Sequence, residues 1–320
     1  MRAMLTLKIS GIAVVLIIVI SISGAAFQTA GQASADQAKT FSTGITRVVL
    51  YATVRQNNGG FVDDLRREDF TILEDGKPQE IDAFLREDVP VAIGLLVDNS
   101  QSMMNKRSQV VEAARTFVRA ANPQDDIFVL HFNEVILWGL HPDIPFTGDR
   151  RLLDDALDRM TVDGRTALYA AIAEGLKHLG KSALTKKALI VLSDGGDNMG
   201  PLKMDDVVKL ADLSGASFYA IGIYDAMDGD ADPKVLRNLA NRTGGEAHFP
   251  QQVDEVRSLC ERIAATLRNQ YTLSYSPPSW ATGRTYRKIE LKVKDPKRRK
   301  LTVRTRTGYY TTGQNSERQP

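Results

Sequence analysis

Apolar residues in the middle of the chain follow two periods, and their alternation predicts an α/β domain. Short apolar runs between polar turns predict buried strands, whereas apolar residues every three or four positions predict amphipathic helices. The predicted strands are Val91–Val97, Ile127–Phe132, Glu134–Leu140, Ala188–Leu192, Ser217–Ile223 and Ala247–Phe249. The first predicted helix has its apolar positions between Val110 and Ala121. The other predicted helices are Arg151–Met160, Ala167–Leu179, Leu202–Leu213, Pro233–Asn241 and Val253–Asn269. Strands that alternate with helices in this way predict a doubly wound, mostly parallel sheet.

The two flanks of this block have a β-type pattern. The strands predicted there are Ile45–Val54, Phe70–Glu74, Gln79–Phe84, Tyr271–Tyr275, Tyr286–Val293 and Leu301–Thr305. Asp75-Gly76 predicts a hairpin turn after the second of them. The flanks either pair into one β-sandwich, with the α/β domain inserted, or are separate appendages. The predicted domains are an N-terminal β-segment (36–88), the α/β domain (89–270), a C-terminal β-segment (271–312) and a disordered tail (313–320).

Residues 1–35 have the pattern of an export signal. Arg2 and Lys8 supply positive charge, the segment Ile9–Ile22 is apolar, and small residues follow. Cleavage of this signal would give a periplasmic or secreted protein. Because residues 9–35 carry no charge, an uncleaved anchor in the inner membrane through residues 9–27 is also long enough.

Composition and missing motifs argue against several function classes. The formal net charge of the 320 residues is +2, which gives no strong field for a nucleic-acid partner. Cys260 is the single cysteine, so no intramolecular disulfide is possible. The sequence contains no H-E-x-x-H, P-loop, G-x-G-x-x-G or G-x-S-x-G motif. These absences argue against the enzyme classes that depend on those motifs.

Oxygen-bearing side chains follow two of the predicted buried strands and precede one of the predicted helices. The carboxyl ends of parallel strands share one edge of a sheet, so these side chains are expected to meet there. Hydroxyl and carboxylate oxygens are hard donors of the kind that Mg²⁺ prefers. The alternative for the first two residues is that they only cap the helix after the strand. The five candidates are Asp98, Ser100, Ser102, Thr166 and Asp194.

The D-x-S-x-S turn at 98–102, followed in order by Thr166 and Asp194, resembles the metal-ion-dependent adhesion site of von Willebrand factor type A (integrin I-like) domains. The resemblance covers Pro90 to Gln270, and the flanks resemble a group of exported bacterial proteins first noted in Acidobacteria. It implies a divalent cation, Mg²⁺ or else Ca²⁺ or Mn²⁺, that the three hydroxyls bind directly and the two carboxylates bind largely through waters. It also implies that an Asp or Glu carboxylate of a partner protein supplies the last ligand.

The function predicted from the sequence is therefore an exported, non-enzymatic protein-binding module. One alternative is a structural envelope protein whose cation only stabilises the fold. Another is a Mg²⁺-dependent phosphohydrolase with Asp98 as nucleophile. The serine at position 100 argues against this second alternative. In the integrin β-type domains that this turn resembles, further acids after the turn hold an adjacent Ca²⁺. Those positions are Met103, Met104 and Asn105 here, so no second cation site is expected. The acidic loop 225–232 is interpreted mainly as a helix-capping loop, and the basic segment 294–300 as a solvated hairpin tip.

Overall fold

The computed structural model describes residues 47–311, except for 87, 160–162, 195, 198, 224–232, 278–285 and 298. The predicted signal or anchor at 1–35, the acidic loop at 225–232 and the tail at 313–320 lie outside the described residues. Within the described part of the chain, no helix has both the length and the apolar character needed to cross a membrane.

The described elements follow the order expected from the sequence pattern. The strands are β1 (Val48–Gln56), β2 (Phe70–Glu74), β3 (Lys77–Gln79), β4 (Ala83–Leu85), β5 (Ala92–Asp98), β6 (Asp126–Phe132), β7 (Ile136–Trp138), β8 (Lys187–Ser193), β9 (Ser217–Gly222), β10 (Ala247–His248), β11 (Tyr271–Tyr275), β12 (Tyr286–Val293), β13 (Leu301–Arg304) and β14 (Gly308–Tyr310). The helices are α1 (Arg107–Ala120), α2 (Arg150–Asp158), α3 (Leu168–Leu179), α4 (Met204–Ser214), α5 (Pro233–Thr243) and α6 (Glu255–Arg268).

A six-stranded sheet forms the centre of the α/β domain, and its strand order is β10-β9-β8-β5-β6-β7. All neighbouring pairs are parallel except β6 with β7. Every residue of the central strand β5 is buried, and so is most of β8, because helices flank the sheet. The predicted doubly wound, mostly parallel sheet is therefore confirmed.

Strands from both flanks of the α/β domain pair with one another. β1 lies between β13 and β11, and β11 also pairs with β4, so that one four-stranded sheet contains residues from both flanks. A second four-stranded sheet has the order β14-β12-β2-β3. The two sheets share one apolar core, which includes Leu50, Ile72 and Leu273. The chain thus passes from β4 of this β-module into the α/β domain. It re-enters the β-module in β11, which lies next to β4 in the same sheet.

The predicted hairpin at Asp75-Gly76 is confirmed, but the single strand predicted at Gln79–Phe84 is wrong. Both turn residues have positive φ, 47° and 79°, as a two-residue hairpin turn requires. The returning strand therefore begins directly after the turn, as β3, and Glu74 pairs with Lys77. Pro78 is tolerated because β3 is an edge strand. The second half of the predicted strand is β4, which lies in the other sheet.

The basic segment 294–300 connects β12 to β13, but the predicted hairpin is wrong, because these two strands lie in different sheets. Two of its described cations, Lys297 and Arg299, pair with acids. Arg299 donates hydrogen bonds to both Asp64 and Asp295, and Lys297 donates one to Asp64. These contacts offset part of the positive charge of the segment. They give it a structural role within the β-module.

Candidate metal centre

The D-x-S-x-S turn begins at the last residue of β5, where Asp98 is only 1% exposed. Its Oδ1 accepts a hydrogen bond from the Ser100 N–H at 2.8 Å. Its Oδ2 accepts one from the Ser193 hydroxyl at 2.5 Å. The Oγ atoms of Ser100 and Ser102 lie 3.1 Å apart. The carboxylate of Asp98 therefore fixes the turn to the end of the neighbouring strand β8 and sets the two serines side by side.

Three backbone hydrogen bonds hold the segment that carries Thr166 close to this turn. The Asp163 N–H donates to the Asn99 carbonyl at 3.0 Å, and the Gln101 N–H donates to the Gly164 carbonyl at 3.0 Å. The Ala167 N–H donates to the Asn133 carbonyl, at the end of β6, at 2.8 Å. Thr166 itself is 4% exposed. The segment is therefore fixed on both sides of Thr166.

Gly164 adopts a conformation that this arrangement needs. Its φ is +74°, in the region that L side chains rarely adopt. A Cβ at this position would lie 2.8 Å from Oε1 of Glu134. A larger residue would thus have a strained backbone conformation and would displace the Glu134 side chain.

Asp194 follows β8 directly and is 3% exposed. Burial, and then the negative charge of Asp194, raise the pKa of Asp98 to about 7. Hydrogen bonds from Ser193 and Ser100 oppose this rise without cancelling it. The structure therefore brings two carboxylates together in a buried site. The segments carrying all five predicted residues meet at one edge of the sheet, and of the five only Ser102 is classed as exposed.

This donor set fits a hard divalent cation. It consists of two carboxylates and three hydroxyls, and a cation would offset the repulsion that raises the pKa of Asp98. Among residues 47–311, as far as they are described, no cluster of three or more His, Cys, Asp or Glu side chains could hold a metal. A cation site among these residues therefore needs ligands of other kinds as well, and the three hydroxyls are such ligands. Metal binding by these five residues stays a prediction.

The raised pKa of Asp98 predicts how metal-free stability depends on pH. The ordinary aspartate pKa is about 3.9, so the folded state favours the protonated form. That contribution to stability is fully present below about pH 4 and is lost as the pH rises through about 7. We expect the free energy of unfolding in EDTA to fall by about 2–3 kcal/mol between pH 5 and pH 8 from this group.

Urea titrations at both pH values, on the wild type and on Asp98→Asn, measure this contribution as a difference. Groups that do not interact with Asp98 affect both proteins equally and cancel, so the difference reports Asp98 together with its coupling to Asp194. An equal pH dependence of the two proteins would contradict the prediction.

Asp197 connects the segment after β8 to the start of α3. Its Oδ1 accepts a hydrogen bond from the Tyr169 N–H at 2.9 Å, and its carboxylate also accepts one from the Leu168 N–H. Burial raises its pKa, although these backbone donors act in the opposite direction. Asp197 therefore caps the α3 N-terminus, whose first N–H groups have no partner within the helix.

Replacing Asp197 with Ala is expected to destabilise the protein by about 1 kcal/mol, as loss of an N-cap usually does. Since the cap also holds the segment after Asp194, the affinity for a divalent cation should fall as well. Thermal unfolding with and without Mg²⁺ measures both effects. Asp197→Asn keeps an accepting oxygen and serves as the control. An alanine variant as stable as the wild type would exclude the capping role.

Three residues that organise the site were not predicted from the sequence. Ser193 donates to Asp98, and the backbone carbonyls of Asn99 and Asn133 hold the Thr166 segment. Ser193 directly precedes Asp194, so a search for hydroxyls at strand ends could have found it. The two carbonyl contacts leave no signal in residue types, because every residue carries a carbonyl.

Comparison with known proteins agrees with this fold. The sequence model of the von Willebrand factor type A domain matches residues 92–262. The structure of the von Willebrand factor type A protein from Catenulispora acidiphila aligns with a TM-score of 0.51 and 14% identity, covering 79% of this chain and 71% of that chain. Proximal thread matrix protein 1 from the mussel byssus, with a zinc-occupied MIDAS motif, aligns with a TM-score of 0.46 and 16% identity, over 61% of this chain and 49% of that one. At this low similarity, the zinc in that structure carries no conclusion about a metal in the present chain.

A curated relative from Borreliella burgdorferi, described as an uncharacterized protein, is 28% identical over 123 residues. The match covers 32% of this chain and 36% of that protein, so this chain matches about a third of the length of its relative. The family match, in contrast, covers more than half of the present chain. The chain therefore belongs to the von Willebrand factor type A domain family.

Proposed function

We propose that this protein is a metal-dependent protein-binding module. A divalent cation, preferably Mg²⁺, is held at the carboxyl edge of the central sheet and binds an Asp or Glu carboxylate of a partner protein. The observation that supports this most is the buried Asp98 carboxylate beside the charge of Asp194. Such an arrangement is unfavourable without a compensating charge, and a cation supplies that charge.

Each of the five residues has a role in this proposal. Ser100, Ser102 and Thr166 contribute hydroxyl ligands, while Asp98 and Asp194 supply negative charge and hold the hydroxyls and bound waters. Mg²⁺ retains several waters and accepts few protein carboxylates, so a set of this kind keeps a position for an outside ligand. The cation, when bound, supplies an electrophile that attracts a carboxylate.

Hydrogen bonding of Asp98 favours binding over catalysis. A phosphohydrolase with Asp98 as nucleophile needs a carboxylate oxygen that can reach the phosphorus atom of a substrate. Here Oδ1 and Oδ2 each accept a hydrogen bond, at 2.8 and 2.5 Å, and the residue is only 1% exposed. This geometry supports a role for Asp98 in shaping the turn.

Exposed apolar side chains beside the site favour a protein as the partner. Met104 is 58% exposed and lies two residues after Ser102. Val135 is 53% exposed and lies two residues after Asn133, whose carbonyl holds the Thr166 segment. A polar centre with apolar side chains around it offers a partner protein both a specific contact and buried area.

Location and domain limits also belong to this proposal. Residues 1–35 would direct the protein out of the cytoplasm, either to the periplasm or medium after cleavage or to the inner membrane as an anchor. The segments 36–88 and 271–312 would form the β-module that carries the binding domain 89–270. A binding module outside the cytoplasm would meet protein partners in fluid that contains Mg²⁺ or Ca²⁺.

Affinity capture from a bacterial envelope extract tests the proposed function. The baits are the wild type and Asp98→Ala, each in Mg²⁺ and in EDTA, with Asp163→Asn as a matched control. Asp163 is an exposed acid of the Thr166 loop, so its replacement changes local charge but none of the proposed ligands. We expect the wild type and the control to capture the same partner in Mg²⁺ only, and Asp98→Ala to capture none.

Other outcomes would favour the alternatives. Capture that survives both EDTA and the Asp98→Ala substitution would contradict the proposal. An unchanged set of partners, together with a lower melting temperature in EDTA, would indicate a cation that only stabilises the fold. Mg²⁺-dependent turnover of a generic phosphate ester would indicate a phosphohydrolase.

A further inference from the structure

A polar cavity lies where the β10 edge of the central sheet meets strands β1 and β13 of the β-module. Its volume is about 390 Å³, and none of the five candidate metal ligands lines it. Three arginines line it, Arg55 from β1, Arg262 from α6 and Arg304 from β13, whereas Glu246 is the single acid in the lining. A cavity of this size is within the range of small-molecule sites.

The charge of Glu246 is already compensated by its neighbours. Nη1 of Arg55 lies 3.1 Å from Oε1 of Glu246, and Nε2 of His248 lies 3.2 Å from Oε2. Burial raises the pKa of Glu246, but His248, Arg55 and Arg304 together outweigh burial, and the pKa lies below its ordinary value. The carboxylate is therefore ionised at neutral pH and balances one guanidinium, that of Arg55.

The other two guanidiniums form their hydrogen bonds with side chains that are not carboxylates. Nη2 of Arg262 donates to Nδ1 of His248 at 3.0 Å, and Nη1 of Arg304 donates to Oδ1 of Asn241 at 3.5 Å. Among the acids that the structure describes, none has a carboxylate within 4.0 Å of either guanidinium. Within the described residues, these two positive charges therefore line the cavity without an ion pair of their own; Arg262 is exposed, and the charge of Arg304 also acts on Glu246 at longer range.

Arg55 adds a buried donor without a partner. Its side chain is 14% exposed, and within the described structure its Nε is buried and donates no hydrogen bond. Buried polar groups in proteins nearly always have partners. Oε1 of Glu246, in the same wall, is also buried without a hydrogen-bond partner in the described structure. The cavity wall therefore offers both a donor and an acceptor to a ligand from outside the chain.

We propose that this cavity binds a small molecule that carries an oxyanion, a phosphate or a carboxylate, between Arg262 and Arg304. The guanidinium group presents two parallel N–H donors that match the oxygens of either anion. The remaining walls are polar and include Thr302 and Asn57. These side chains can form hydrogen bonds with the hydroxyl groups of a sugar-like part of the ligand. The site takes a sugar phosphate or a sugar acid.

Binding would connect two parts of the molecule. Arg304 belongs to the β-module and Arg262 to the last helix of the α/β domain. An anion held by both residues bridges the two parts and stabilises their contact. The ligand should therefore raise the melting temperature in addition to binding measurably.

Calorimetric titrations of the whole protein at constant ionic strength, with EDTA present, test this inference. The probes are inorganic phosphate, glucose 6-phosphate, glucuronate and, as a salt baseline, chloride. The test variant is Arg262→Gln with Arg304→Gln, and the control is Arg257→Gln. Arg257 is an exposed α6 residue that pairs with Glu112 at 3.7 Å, so the control removes one arginine from the same helix outside the cavity.

We expect saturable binding of one probe molecule per chain, with at least about tenfold weaker affinity in the double variant and no change in the control. The preference between glucose 6-phosphate and glucuronate identifies the oxyanion. Circular dichroism verifies that the double variant folds. No saturable binding of any probe, or equal affinities in the wild type and the double variant, would overturn the inference. So would binding lost in Asp98→Ala, because the proposed metal centre plays no part in this site.

Discussion

Replacing Asp98 with Asn is expected to stabilise the metal-free protein at pH 8 and to abolish its response to Mg²⁺. Asn has the same shape and keeps an oxygen that accepts from the Ser100 N–H, a bond of 2.8 Å in the structure. The Ser193 hydroxyl, now a donor to Asp98, can rotate to accept from the amide. The substitution therefore removes a buried charge next to Asp194 and preserves the packing.

The size of the stabilisation expected for Asp98→Asn follows from the pKa of Asp98. A pKa raised from about 3.9 to about 7 corresponds to roughly 4 kcal/mol of destabilisation when the group is fully ionised. We expect the variant to regain about 1–3 kcal/mol of this at pH 8, since an imperfect hydrogen bond of the amide offsets part of the gain. In contrast, Mg²⁺ at one hundred times its dissociation constant should stabilise only the wild type, by about 2.7 kcal/mol.

Thermal unfolding at pH 8, with Mg²⁺ and with EDTA, measures both effects. Asp163→Asn again provides the control, and it should match the wild type in both solutions. If Asp98→Asn were less stable than the wild type without metal, the two buried carboxylates would not be in conflict. The main support for a cation site would then be lost.

The second large effect is expected at Asp125, which joins the start of β5 to the end of α6. Its side chain is 0% exposed and contacts Arg268 at 2.5 Å. It also accepts from the N–H groups of Val91 and Asn122, each at 2.9 Å. Asp125→Ala leaves a cation and two backbone donors without this acceptor. We expect it to lower the free energy of unfolding by roughly 3–5 kcal/mol.

A second acid on the same arginine gives a matched control. Asp88 contacts Arg268 at 2.7 Å, but its side chain is 44% exposed. Exposed ion pairs contribute about 0–1 kcal/mol, so Asp88→Ala should have a small effect. Chemical denaturation of both variants compares a buried and an exposed partner of one guanidinium. Equal losses would show that burial does not decide the strength of these contacts.

Much of the fold could be predicted from the sequence, because a buried strand leaves a clear pattern. β5 and β8 were each placed to within one residue at both ends, since strands covered on both faces are continuous apolar runs. The division of Gln79–Phe84 between β3 and β4 could not be predicted. It depends on which distant strands each half pairs with, and local pattern does not encode those partners. The short strand β14 was missed for the same reason.

The side chains of the candidate site could be predicted from the sequence. The contacts that hold their segments in place could not. Four of the oxygen donors follow buried strands and the fifth precedes a helix, and the parallel sheet brings their segments to one edge. They are Asp98, Ser100, Ser102, Asp194 and Thr166. The carbonyl of Asn99 and the Asp197 cap of α3 hold those segments in place. Such contacts arise between parts of the chain that meet only after folding. The sequence alone therefore predicts the donor side chains. The contacts that hold their segments are seen only in the structure.

The most direct test of the metal centre is an anomalous difference map from crystals soaked in Mn²⁺, collected for the wild type and Asp98→Asn. Mn²⁺ takes oxygen ligands as Mg²⁺ does and has a stronger anomalous signal. We expect one peak in the wild type, within bonding distance of the hydroxyls of Ser100, Ser102 and Thr166, and no peak in the variant. A wild-type map without a peak at these hydroxyls, or an equal peak in both proteins, would rule out the proposed metal centre.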